Sequence, residues 1–137
     1  MILRNWDGSV IFSAHRHLFH CNDALEAELH AIMEGMALSV EHTTLPVVVQ
    51  SDSTTALSIL TSNELDRSAY GHLILETKDL MVGREFIPMK ISRDQNRVAD
   101  YLANYDRTNH STACWLRRGH PCIAELLSAD CNSTFLE

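Results

Sequence analysis

Lysine is nearly absent from this chain. Only Lys78 and Lys90 occur among 137 residues, beside nine arginines, and the formal net charge is −7. A chain of this charge is repelled by a polyphosphate at long range unless its positive residues are gathered in one place. The composition therefore weighs mildly against a protein devoted to nucleic-acid binding, without excluding that function.

Several other features are also missing. No apolar run reaches the roughly 20 residues of a membrane span, and the opening residues do not form a signal peptide, so we expect an intracellular protein, nuclear or cytoplasmic, with no membrane partner. With 45% hydrophobic residues the chain is not disordered. No Gly/Ser linker or charge block divides it, which predicts one domain over residues 1–107 and a tail over 108–137. The four cysteines form no C-x-x-C pair and do not indicate a disulfide scaffold: Cys21, Cys114, Cys122 and Cys131.

The first half of the chain begins with a hairpin signal. Asp7-Gly8 lies between two apolar runs and predicts a type I′ turn, in which both central residues have positive φ. Helical spacing of apolar residues follows from Asp23, a suitable N-cap, to His42. The β-branched run Val47–Val49 predicts a buried strand, and a helix departs after Ser51-Asp52-Ser53.

The second half continues the alternation. A helix is predicted from Asp66 to Val82, ended by Gly83, then a strand from Phe86 to Ile91 and a helix from Asn96 to Tyr105. Strands alternating with helices after an opening hairpin indicate an α/β fold whose sheet is part antiparallel and part parallel.

Carboxylates lie at the positions where such a fold binds ligands. Asp52 follows a buried strand, at the sheet edge where open α/β folds bind, but an Asp there is equally an N-cap for the next helix. Glu26 and Glu28 flank the apolar stripe of the long helix, and periodicity does not decide which of them faces the sheet. Asp100 lies inside the last helix. Together these hard oxygen ligands suit Mg²⁺ or Mn²⁺, which can act in pairs on phosphodiesters.

Four stretches in this order resemble the ribonuclease H family, most closely its plant reverse-transcriptase-like branch. They match the segment V-I-R-D-x-x-G-x-V and the blocks A-E-L-x-A, V-E-S-D-S and P-R-x-x-N-x-V-A-D-x-L-A. In this sequence the four stretches are Ile2–Val10, Ala27–Ala31, Val49–Ser53 and Ser92–Ala103. The resemblance covers nearly the whole chain, and its blocks are specific as a set rather than singly.

The resemblance implies a three-layer mixed sheet with flanking helices and, as activity, hydrolysis of the RNA strand of RNA–DNA hybrids. It implies two Mg²⁺ or Mn²⁺ ions held by four carboxylates, of which Glu28, Asp52 and Asp100 match three. Nucleic acid, as RNA–DNA hybrid or another form, is the implied partner. A plant or retroelement lineage is implied as well. The residues expected to bind nucleic acid surround the strand-to-helix turn before Asp100: Lys90, Arg93, Asn96 and Arg97.

Two departures from the family pattern bear on activity. The family's first carboxylate lies on a central strand before the Ile2–Val10 segment, so we expect that strand to be missing, the chain to be truncated at its N-terminus and the two-ion site to be incomplete. Asp7-Gly8-Ser9 imitates the absent motif, but only 16 residues separate Asp7 from Asp23, where two strands and two turns would barely fit, so the truncated alignment is preferred. The strand edges left behind would then pair directly, be filled by the tail, or stay open.

The second departure is Lys90, which stands where the family has a mobile histidine. A lysine holds a phosphate but does not shuttle protons near neutral pH without a large pKa shift. Three functions therefore stay open: a metal-dependent ribonuclease, an inactive nucleic-acid binder, and a protein-interaction module that keeps only the fold.

Two further groups of residues have alternative interpretations. Trp6 falls in the predicted hairpin turn, where it either stacks on a base or covers the end of the sheet. His15, His17, His20 and Cys21 are spaced so that a zinc site is conceivable, although no second Cys/His pair has a customary zinc spacing.

Overall fold

The computed structural model describes residues 1–18 and 20–116, with the side chain of residue 106 left out, and divides them into two compact units. The first unit comprises residues 1–18 and 92–116, and the second residues 20–91. Among the described residues, no helix has both the length and the apolar character to cross a membrane. The elements are β1 Ile2–Arg4, β2 Val10–His15, α1 Ala24–His42, β3 Val47–Ser51, α2 Thr54–Thr61, α3 Gly71–Val82, β4 Phe86–Lys90, a 3₁₀ turn Arg93–Gln95, α4 Arg97–Asn109 and β5 Ala113–Leu116.

The predicted hairpin is present in the first unit, but its turn is not type I′. β1 and β2 pair antiparallel with a register shift beside Arg4. Gly8 has φ 86°, whereas the only non-glycine residue with positive φ in the described part of the chain is His110, so Asp7 does not adopt the type I′ conformation. The turn closes instead by a hydrogen bond from Gly8 N–H to the Asn5 carbonyl at 2.9 Å, a three-residue loop with a left-handed glycine.

The predicted tail supplies a strand to this sheet. β5 pairs antiparallel with β2, from Phe12 opposite Leu116 to His15 opposite Ala113. The order is therefore β1-β2-β5, and β1 has a strand neighbour on one side only within the described residues. β5 lies beyond the predicted boundary at residue 107. The remainder of the predicted tail, including its apolar stretch 123–127, lies outside the described residues.

Helix α4 packs on this antiparallel sheet. Val98 and Leu102 are buried in the first unit, with Ile2 and Tyr101 packed against them. The predicted helix from Asn96 to Tyr105 is thus confirmed, and it continues to Asn109.

The second unit combines three helices with a parallel pair of strands. β3 and β4 pair in parallel, from Val47 opposite Phe86 to Ser51 opposite Lys90, so both predicted strands are present. The prediction that β3 is buried is wrong in part, because Val48 in its middle is 46% exposed. α1 begins after Asp23, whose carboxylate accepts from Glu26 N–H at 2.9 Å, so the predicted N-cap is confirmed. Helices α1, α2 and α3 contact one another around a buried apolar core: Leu29, Ile32, Met36, Ala56, Leu57, Leu60, Leu73 and Ile74.

The prediction that α3 starts at Asp66 is wrong, because α3 starts at Gly71. The Asp66 carboxylate accepts from Ser68 N–H at 2.7 Å, which makes a local turn instead of a helix. The Asp66 carbonyl oxygen then approaches Gly71 so closely that a Cβ at that position would lie 2.6 Å from it. Only glycine fits where this chain reversal meets the helix.

Charge is divided unevenly between the units. Residues 20–91 contain 11 acidic and 4 basic residues, which accounts for the whole net charge of −7, whereas the rest of the chain contains 7 of each. The repulsion of nucleic acid expected from the composition therefore belongs to the second unit. The rest of the chain has no net charge.

Candidate functional site

The carboxyl end of β3 brings Glu28 of α1 to the turn that carries Asp52. Ser51, the last residue of β3, is 3% exposed, and its hydroxyl donates a long hydrogen bond of 3.4 Å to Glu28 Oε2. The same hydroxyl accepts from Ser53 N–H at 3.1 Å. Ser51 therefore links the α1 carboxylate to the strand-to-helix turn around Asp52.

Glu26 has different surroundings from Glu28. Its Oε2 accepts from Asn22 N–H at 2.6 Å, and its Oε1 lies 3.9 Å from His30 Nε2, so it serves the start of α1. The geometry thus separates the two glutamates that periodicity left equivalent. Glu28 is the one directed to β3.

Asp52 is not the N-cap of α2. That role belongs to Ser53, whose hydroxyl accepts from Ala56 N–H at 3.2 Å. The structural alternative for Asp52, a helix cap, is therefore wrong. Asp52 is partly buried and follows the carboxyl end of β3, where a ligand-binding group would lie.

Lys90 ends β4 beside this turn. Its ammonium donates to the backbone carbonyl of Asp52 and, at 3.0 Å, to that of Ile91. An ammonium has three donors, and these bonds use two of them. Lys90 therefore links the Asp52 turn to β4. This structural role is additional to the nucleic-acid binding that was expected of it.

The other predicted site residues belong to the first unit. Ser92 N–H donates to the Gln95 side chain at 3.0 Å, which shapes the 3₁₀ turn before α4. The first turn of α4 then carries Asp100, which is partly buried and whose N–H donates to the Asn96 carbonyl at 3.0 Å. Arg93 and Arg97 are exposed on either side of Asn96. The structure thus places Glu28, Asp52 and Lys90 together in one unit, and Arg93, Asn96, Arg97 and Asp100 together in the other.

The chemistry of Glu28 and Asp52 fits a magnesium ion that also binds substrate. In residues 1–18 and 20–116, no three His, Cys, Asp or Glu side chains are grouped so that they could hold a metal ion on their own. Mg²⁺, however, usually keeps several waters and uses one or two carboxylates together with substrate phosphates. The pair therefore suits a shared ion rather than a closed protein cage.

Two of the histidines considered for zinc, His15 and His17, contact other aromatic rings. His15 is 4% exposed, with its ring 5.4 Å from the rings of both Tyr105 and Trp115. The rings of His17 and His110 lie 4.9 Å apart, edge to face. These contacts assign His15 and His17 to the packing of the first unit.

Two residues that contribute to the structure of these units were not predicted to do so from the sequence. Ser51 links Glu28 to β3 through its hydroxyl, and its signal in the sequence was its position directly before Asp52 at a strand end. Trp115 is the other, on β5, where partly buried and exposed residues alternate, as in a strand. The run Ala113–Leu116 is apolar throughout, so this alternation is not visible in the sequence.

The chain is similar to a known protein family over most of its length. The family model described as reverse transcriptase-like matches residues 1–106. No curated protein and no solved structure is detectably similar to the chain. Because the match covers well over half of the chain, the chain belongs to the reverse transcriptase-like family, a ribonuclease H-like family, and its mixed α/β architecture is consistent with that fold.

Proposed function

From this family membership we propose that the domain binds nucleic acid, and that its reaction is metal-dependent hydrolysis of the RNA strand of RNA–DNA hybrids. The observation that carries the proposal is the Ser51 hydroxyl, which holds Glu28 beside the Asp52 turn at the carboxyl end of β3. Two carboxylates at a sheet edge have the hard oxygen chemistry that the reaction requires.

Each residue has a defined task in this proposal. Glu28 and Asp52 would hold a Mg²⁺ or Mn²⁺ ion in the second unit. Asp100, in the first unit, matches the third carboxylate of the family pattern. The bound ion supplies charge stabilisation at the phosphate and a more acidic water. Ser51 positions Glu28. Phosphates of the nucleic acid contact the exposed guanidinium groups of the turn before α4.

The test is cleavage of a labelled RNA–DNA hybrid in Mg²⁺ and in Mn²⁺ by the wild-type chain and by Asp52→Asn. The matched control is Asp79→Asn, the same substitution at an exposed position of α3. Cleavage is expected to fall at least about 100-fold in the Asp52 variant and to persist in the control, since Asn removes the ligand charge without changing size. Equal cleavage by both variants would overturn the assignment of Asp52.

A second candidate, binding without cleavage, is favoured by Lys90. Its ammonium is bonded to the Asp52 and Ile91 carbonyls at the position where the family pattern has a histidine, and a lysine does not exchange protons readily near neutral pH. A folded wild-type chain that binds hybrid in a salt-dependent manner but does not cleave it would support this candidate. In that case Lys90→His is the variant expected to gain cleavage.

A further inference from the structure

Trp6 is almost completely surrounded by solvent. It lies at the tip of the β1–β2 hairpin and is 94% exposed, whereas tryptophan is on average a highly buried residue. This exposure excludes the alternative that Trp6 covers the end of the sheet. A large aromatic surface at the tip of a hairpin is available for contact with another molecule.

The hairpin tip that carries Trp6 is held by its own hydrogen bonds. Asn5 N–H donates to the Ser9 carbonyl at 2.8 Å, and the Asn5 side chain donates to Ser9 Oγ at 2.9 Å. The Asp7 carboxylate accepts from Ser9 N–H at 2.9 Å and from Ser9 Oγ at 2.7 Å. These hydrogen bonds from Ser9 lower the pKa of Asp7, so the carboxylate that holds the loop remains ionised at neutral pH.

The hydrogen-bonded order of the hairpin tip affects the affinity of Trp6 for a ligand. A loop that already has its conformation loses little entropy when its side chain binds, so more of the contact energy appears as affinity. The indole ring is therefore presented on a shaped support rather than on a loose segment.

The distribution of charge favours nucleic acid as the occupant. Trp6 lies outside residues 20–91, the unit that carries the whole net charge of −7 and repels phosphates. The neighbouring Asp7 carboxylate disfavours a phosphate directly at the ring. A base, by contrast, is uncharged and stacks on an aromatic ring whatever its identity.

We propose that Trp6 is a stacking platform for an unpaired base of a bound nucleic acid, in addition to the phosphate contacts of the turn before α4. The proposal rests on the proposed function, because it assumes that the chain binds nucleic acid. It adds a site remote in sequence from the candidate carboxylates and a preference for substrates that offer an unpaired base, such as a hybrid with a single-stranded overhang.

The chain has two tryptophans, so fluorescence can report on Trp6 alone. In Trp115→Phe the only indole is Trp6, and titration with a hybrid bearing a single-stranded RNA overhang is expected to quench its emission saturably. In Trp6→Phe the only indole is Trp115, and the same titration is expected to leave its emission nearly unchanged.

Affinity supplies the second measurement. Trp6→Ala is expected to bind the overhang hybrid about 5- to 100-fold more weakly than wild type, whereas Trp6→Phe keeps most of the affinity because phenylalanine also stacks. The loss should be similar at low and high salt, since stacking releases no counterions, unlike a phosphate contact. Both Trp6 variants should melt at the wild-type temperature, because the ring is exposed.

The outcomes distinguish a failure of the stacking proposal from a failure of the proposed function on which it rests. If the wild-type chain binds no nucleic acid, the proposed function fails. If the wild-type chain binds and Trp6→Ala binds equally well, the stacking platform alone is overturned. If wild type sediments as a dimer that Trp6→Ala dissociates, the ring is a contact between protein chains, and stacking on a base is likewise rejected.

Discussion

Replacement of Ser51 by alanine tests whether the link between α1 and β3 holds the candidate site together. The change removes the acceptor of the 3.1 Å hydrogen bond from Ser53 N–H and the donor of the 3.4 Å bond to Glu28. A fully buried donor that loses its partner costs about 1–3 kcal/mol, and the Ser53 N–H is partly buried. The bond to Glu28 is long and adds little, so we expect Ser51→Ala to lose about 1–2 kcal/mol of unfolding free energy.

Ser39→Ala is the matched control. Ser39 is also 3% exposed, but its hydroxyl donates to the Gly35 carbonyl within the same helix, at 2.7 Å. No backbone donor loses its acceptor in this variant, and alanine favours the helix. We therefore expect its unfolding free energy to change by less than about 0.5 kcal/mol.

Urea denaturation followed by circular dichroism measures both variants. For an m-value of about 1.5 kcal/mol/M, the Ser51 variant should unfold at a urea concentration about 0.7–1.3 M below that of wild type, with an unchanged slope. A midpoint within about 0.2 M of wild type, or an equal loss in the Ser39 control, would refute the reasoning that Ser51 joins two parts of the second unit.

Two further predictions concern the other interactions that shape the units. Leu102 is 0% exposed and packs beside Val98, so Leu102→Ala should lower the free energy of unfolding by about 2–5 kcal/mol, measured by thermal or urea unfolding. The control Leu116→Ala, at a 56% exposed position, should lower it by less than about 1 kcal/mol. Similar losses in both variants would contradict the assignment of Leu102 to the core. The hydrogen bond from the Tyr70 hydroxyl to Asp23 Oδ2 at 2.5 Å raises the pKa of Tyr70 to about 12, so its stabilising effect is present below pH 10 and is lost as the pH rises towards 12. Tyrosinate absorbance should show Tyr70 titrating nearer pH 10 in Asp23→Asn, which keeps a good N-cap, and an unshifted titration would argue against this bond.

The division of charge between the units has a consequence for substrate binding. Because the acidic residues are concentrated in 20–91, the candidate carboxylates Glu28 and Asp52 belong to the unit that repels phosphates most. A divalent ion at these carboxylates would offset that repulsion locally. Binding to nucleic acid should therefore strengthen when Mg²⁺ is present, if Glu28 and Asp52 are its ligands.

Local sequence patterns determined most of the elements. The Asp7-Gly8 pair set the hairpin, Asp23 set the start of α1, and the run Val47–Val49 set β3, because each depends on residues within a few positions of one another. A local interaction also explains why the start of α3 was predicted wrongly. The Asp66 carboxylate competes for nearby backbone groups, a choice that spacing of apolar residues does not reveal, so α3 begins later than predicted.

The family blocks made the candidate carboxylates recognisable in the sequence, but their surroundings depended on contacts between distant segments. Only the meeting of α1 with β3 distinguishes Glu28 from Glu26, since both lie beside the same apolar stripe. Only the pairing of β2 with β5, a hundred residues apart, shows that the tail completes a sheet. The exposure of Trp6 likewise depends on how the hairpin packs, which the sequence does not show. Side chains on one helix share their local signals, and the tertiary contacts are what give them different roles.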